Sequence, residues 1–203
     1  MSKKVTKIII PIVAAVLALA LCITAVGALA VAALAVGTLV AGTVVVGGVV
    51  GFIATDAIAT IENCINFGTI TGSSTGNGGI LGIYYNAATG TGTVTIKNSV
   101  NNGIVSGSWG IGGIAGDTLG EIIGCVNNGT VKATGDVGGI VGKCYAKVTE
   151  CSNNGEVIGA QTNIGGIIGR NHISTYSDII NSTNYNNGTV TGPKSQDIIG
   201  TQE

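Results

Sequence analysis

One repeated pattern limits what this chain can fold into. A unit repeated at a fixed spacing cannot close a core by itself, so each copy must bury its apolar side against the next. The pattern Gly-Gly-Ile/Val-x-Gly occurs at Gly78–Gly82, Gly112–Gly116, Gly138–Gly142 and Gly165–Gly169. A second pattern, Cys/Ser-x-Asn-x-Gly-x-Ile/Val, alternates with it at Cys64–Ile70, Ser99–Val105, Cys125–Val131 and Cys151–Val157, and a fifth copy, Asn184–Val190, has Asn in first place. The glycines of this second pattern stand at 68, 103, 129, 155 and 188, which gives a 26-residue unit with insertions in the first and last steps. Degenerate copies at Gly47–Gly51 and Gln196–Gly200 suit terminal units, which have no outer neighbour.

The texture between these markers is that of strands and turns. Ile and Val come in short runs bounded by Gly, Asn, Ser and Thr, and between 60 and 200 no apolar stripe has helical spacing. Glycine, at 35 of 203 residues, is too dense for helix, and without a three-residue period it does not indicate collagen. Stacking the units places Ile80, Ile114, Ile140, Ile167 and Ile198 in one column. Ile70, Val105, Val131, Val157 and Val190 form a second column, and Ile61, Ile96, Ile122 and Val148 a third. The paired glycines permit positive φ and close approach of one coil's backbone to the next. The expected fold is therefore all-β: a parallel β-helix or β-solenoid of about five coils of ~26 residues over 47–203. At the strand spacing of ~4.8 Å this makes a rod on the order of 25 Å long.

Residues 1–46 form a separate N-terminal unit. No charge occurs from Ile8 to Thr55, and Lys3, Lys4 and Lys7 precede that run. This pattern predicts an apolar helix, either an uncleaved membrane anchor or a secretory signal with Ala28-Leu29-Ala30 as its cleavage site. A two-helix hairpin returning the array to the cytoplasm is a third arrangement, disfavoured by the glycines at 37, 42, 47 and 48.

Gly-Gly-Ile-Val-Gly followed about ten residues later by Cys-x-Asn-x-Gly-x-Val resembles the GLUG-motif repeats of bacterial cell-surface and secreted proteins. The resemblance covers residues 47 to 200. It implies a parallel β-helix or β-roll, an extracellular location, and a stalk, adhesin or flanking region of a larger protein. Some members accompany an IgA-cleaving metallopeptidase, but no His-Glu-x-x-His occurs here.

The residues that suggest chemistry fall into repeat phase. Cys64, Cys125 and Cys151 share a position with Ser99, which fits an inward column of small side chains better than a metal or redox cluster. Asn66, Asn101, Asn127, Asn153 and Asn186 share another, where stacked amides can form a ladder. A continuous threonine face is interrupted by Ile104 and Glu156. His172 is the sole histidine. The glycine runs lack the Gly-Lys-Ser/Thr of a phosphate loop, and Asp117 with Glu121 is the nearest carboxylate pair. No catalytic, cofactor-binding or metal site is expected.

Tyr84, Tyr85 and Trp109, in the insertion loops, are the candidate contact patch for a surface protein or a glycan. The absence of a basic patch argues against nucleic acid. The membrane is an expected partner through the N-terminal helix, and the strand edges at the ends of the array favour end-to-end self-association. These features predict a non-catalytic cell-surface or secreted protein, adhesin-like or a structural display rod. The alternatives are a carbohydrate-active β-helix enzyme or a piece of a larger surface protein or peptidase.

Overall fold

The computed structural model describes residues 47–53, 57–73, 75–85, 92–172 and 184–202. The expected N-terminal helix, at 1–46, lies outside them. The described residues are all-β, and no helix among them is long and apolar enough to cross a membrane.

One full coil consists of five short strands, Trp109–Gly112, Ala115–Thr118, Glu121–Ile123, Val126–Asn127 and Val131–Ala133, which define five faces in that order. The next coil repeats them at Gly135–Gly138, Val141–Cys144, Val148–Thr149, Ser152–Asn153 and Val157–Gly159. Corresponding strands pair in parallel, as in Ile111↔Val137, Ala115↔Val141, Ile122↔Val148, Asn127↔Asn153 and Val131↔Val157. The result is a β-helix-like stack of five parallel sheets with four, six, four, five and five strands on faces one to five. The six-stranded sheet runs from Val50–Ile53 to Ile199–Gln202, so the degenerate repeats at both ends belong to the array.

The three expected columns are the core. Ile80, Ile114, Ile140 and Ile167 are fully buried, and each N–H donates to the carbonyl of the next member, the last reaching Ile198. The Ile61 and Ile70 columns pair as expected. The apolar interior is divided into two compartments. One gathers the Ile80 and Ile61 columns with Leu81, Ala115, Val141 and Ile168. The other gathers the Ile70 column with Ile111, Val137 and Ile164.

The glycine pattern is explained by close approach, and one part of the sequence expectation is corrected. None of the paired glycines has positive φ. A Cβ on the second glycine (Gly79, Gly113, Gly139 or Gly166) would lie 2.0 to 2.2 Å from a carbonyl oxygen of the next coil. On the first glycine it would strike the carbonyl three residues ahead, as at Gly112, 2.1 Å from the Ala115 oxygen. On the third it would strike the first-face strand of a neighbouring coil, as at Gly116, 2.4 Å from the Gly76 carbonyl carbon. The first and second faces thus meet backbone to backbone, with no room for side chains.

Apart from Gly192 and Lys194 near the C-terminal end, positive φ among the described residues lies in two other columns. Asn63, Asn98, Gly124 and Glu150 turn the corner between faces three and four at φ 56°, 50°, 63° and 57°. Gly76, Gly110, Asp136 and Asn163 bend the chain ahead of the buried first-face positions at φ 78°, 65°, 48° and 59°. Apart from Glu150 these are Gly, Asn or Asp, the residue types that adopt this region at least cost.

Candidate functional site

The most continuous polar feature is the asparagine ladder. The Nδ2 of Asn66 donates to Asn101 Oδ1 at 2.7 Å, Asn101 to Asn127 at 2.8 Å, Asn127 to Asn153 at 2.7 Å and Asn153 to Asn186 at 2.9 Å. The last donor, Asn186, meets the Asp197 carboxylate at 2.8 Å. Each amide also brackets the glycine two residues ahead: Asn127 Nδ2 donates to the Gly129 carbonyl and Asn127 Oδ1 accepts the Gly129 N–H. Every polar atom of an interior rung is therefore satisfied, which is what makes burial of an amide affordable. The rungs reach the Gly-Gly turn, where a Cβ on Gly113 would stand 2.4 Å from Asn127 Cγ. Asp197 occupies the second-glycine position of the degenerate last repeat and takes the place of a further rung.

A second, exposed ladder runs beside it. Asn128 donates to Asn102 at 2.8 Å, Asn154 to Asn128 at 2.8 Å and Asn187 to Asn154 at 3.0 Å. The recurrence of Asn at the same place in four units is the signal that could have revealed the ladder.

The Cys/Ser/Asn position is a structural relay. The Cys64 N–H donates to Ser99 Oγ at 3.1 Å, the Cys125 N–H to Cys151 Sγ at 3.4 Å, and the Cys151 N–H to Asn184 Oδ1 at 2.9 Å. The same side chains donate back to the carbonyl two residues earlier, Ser99 to Lys97, Cys125 to Ile123 and Cys151 to Thr149. The position needs a small side chain that both accepts and donates at its γ or δ atom, so Ser, Cys and Asn interchange. Cys125, Cys144 and Cys151 are free thiols, fully buried. Burial pushes the Cys144 thiol up to about 12. The Cys151 thiol is also raised, first by its hydrogen bond with Cys125 and then by burial.

A charged cluster closes the outer edge of faces one and two. Asp136 is buried at positive φ and accepts hydrogen bonds from Asn163 and, at 3.0 Å, from Arg170 Nε, with Lys143 Nζ at 3.7 Å. Asp117, Lys143 and Arg170 stand in register on the second face. Burial raises the Asp117 carboxyl; Lys143 and His172 pull it down, and Asp136 adds to the rise. Asp117 therefore faces this cluster. Beside it the Tyr145 and His172 rings stack with centroids 4.3 Å apart and planes 1° from parallel.

The three residues expected to form a contact patch are not alike. Tyr84 is 1% exposed in the larger core compartment, and its hydroxyl has no hydrogen-bond partner among the described residues. It points inward because it falls in register with Thr118 and Cys144, both inward positions of the second face. Tyr85, one residue on, is 62% exposed. Trp109 is half-buried at the start of a first-face strand, and a Cβ on its register partner Gly135 would lie 2.5 Å from the indole ring. A surface contact thus retains Tyr85 and part of Trp109 and loses Tyr84.

No three His, Cys, Asp or Glu side chains among the described residues converge as a metal-ligand set. No protein-family model, curated protein or solved structure matches the chain.

Proposed function

We propose that this chain is a non-catalytic repeat protein of the cell surface, held in the membrane or exported by its N-terminal apolar segment, and that its solenoid serves as a stiff display rod of the adhesin type. The observation that carries this reading is the unbroken ladder from Asn66 to Asp197, whose bonds cross every coil. The buried polar groups are arranged along the rod axis and satisfy one another, an arrangement that stiffens the array and leaves them unavailable for substrate. The chargeless run ahead of the array and the resemblance to GLUG-motif repeats support the outside location and a bacterial host. Tyr85 and the exposed part of Trp109 are the side chains offered to a protein or glycan partner. Among the described residues Val50–Ile53 and Ile199–Gln202 are the outermost strands of the six-stranded sheet, and such edges favour association with further β-structure.

Protease treatment of intact cells, followed with an antibody to the array, tests the reading. Loss of the array from unbroken cells is the expected result. Protection until lysis would overturn it. One observation favours the rival reading of a carbohydrate-active enzyme: Asp117 and Asp136 are carboxylates in unlike environments, one raised by burial and one ion-paired. Polysaccharide turnover abolished by Asp117→Asn would establish that rival.

A further inference from the structure

Four of the eight exposed large apolar side chains among the described residues lie in the first coil. Phe52 is 52% exposed, Ile58 71%, Ile65 55% and Phe67 76%. Along the stack three of these positions turn polar, whereas Ile65 is followed by Val100, Val126, Ser152 and Tyr185. Phe52 is followed by Ile83, Asp117, Lys143 and Arg170. Ile58 is followed by Thr93. The position of Phe67 is followed by Asn102, Asn128, Asn154 and Asn187. The four apolar residues occupy the second, third and fourth faces at one level of the stack, so they form a belt around the rod rather than a stripe along it.

We propose that this belt rests on a lipid surface, with the rod axis directed away from the bilayer. The proposal rests on the anchored form of the functional reading above. Two features single out lipid as the occupant. The run without charge extends from Ile8 to Thr55, so Val50–Ile53, the first strand of the solenoid, is itself the end of that run. If the apolar segment is embedded, no polar spacer separates it from the first coil. The second feature is shape. A plane crossing the axis touches side chains around one level on several faces, whereas a protein docking from the side would touch one face over several levels. Phe and Ile suit the water–bilayer boundary, and Glu62, the one charged side chain described at that level, pairs with Lys97 of the next coil at 3.8 Å.

Trp109 is the sole tryptophan, which allows a direct test. The full chain carrying Trp109→Phe with Phe67→Trp is reconstituted into phosphatidylcholine vesicles with or without brominated acyl chains. A second chain carries Trp109→Phe with Tyr185→Trp, an exposed site aligned with Ile65 four coil steps along the stack. The expected result is that bromolipid reduces emission of the Phe67→Trp chain by about half and leaves the Tyr185→Trp chain, about 19 Å further from the surface, unchanged. Equal quenching of the two chains, or none in either, overturns the belt. Sedimentation of the same samples separates the two failures. A chain that pellets with vesicles while position 67 stays unquenched refutes the belt alone. A chain that remains in the supernatant refutes the anchored reading and the belt with it.

Discussion

Replacing Asn127 by Ala removes the middle rung of the ladder and tests whether the ladder holds the array together. The side chain is fully buried and makes four hydrogen bonds. It donates to Asn153 Oδ1 at 2.7 Å and to the Gly129 carbonyl at 2.8 Å. It accepts from Asn101 Nδ2 at 2.8 Å and from the Gly129 N–H at 3.3 Å. At a net value of about 1 kcal/mol per buried bond, the substitution costs about 4 kcal/mol. In a chain of this size that lowers Tm by about 12 °C. Asn66→Ala at the first coil breaks one rung-to-rung bond and two bonds to Gly68, and costs about 3 kcal/mol. Asn128→Ala breaks two bonds of the exposed ladder, which water replaces, and costs about 0.5 kcal/mol. Urea and thermal unfolding of the full chain, followed by circular dichroism, give the three values. The reasoning is refuted if Asn127→Ala costs no more than Asn128→Ala.

The same structure makes four further predictions. Gly129→Ala places a Cβ 1.8 Å from the Gly103 oxygen and should prevent stable folding, whereas Gly68→Ala, at the same motif position but with its nearest contact at 3.5 Å, should change stability by under about 1 kcal/mol; similar unfolding midpoints for the two would refute the stacking argument. Tyr84→Phe removes a buried hydroxyl that has no partner among the described residues, so stability should hold or rise by about 1 kcal/mol, and a loss of 2 kcal/mol or more would show that the hydroxyl is satisfied. Burial holds the Asp117 carboxyl above its usual range, so its contribution is present below the unfolded value and is lost as pH rises through the folded one. Asp117→Asn should therefore be more stable than the parent at pH 7, with the gap closing below about pH 4 in thermal melts. Cys125, Cys144 and Cys151 are fully buried, and although the hydrogen bond with Cys151 lowers the Cys125 thiol, no reagent reaches it, so iodoacetamide at pH 8 should leave all three unmodified in the folded protein and modify them in denaturant, read by mass spectrometry.

The sequence determined the repeat, its 26-residue step, the three apolar columns and the alignment of the asparagines, because stacking copies of one unit places equivalent residues at equivalent depths. Even the ladder could be expected from Asn66, Asn101, Asn127, Asn153 and Asn186, since amides in register have no nearer partner than one another. Tertiary structure decided which side of a strand faces in. Tyr84 and Tyr85 are neighbours with the same chemistry, and the alternation along one short strand buries the first and exposes the second. The reason for the glycines also lay beyond the sequence. A Gly-Gly pair reads equally well as a turn at positive φ or as a close contact, and only the packing of the first face against the second shows that the contact governs here. The clustering of Asp117 with Asp136, Lys143 and His172 was hidden for a related reason: Asp117, Lys143 and His172 lie on three successive coils, Asp136 shares the coil of Lys143, and the coil spacing brings them together.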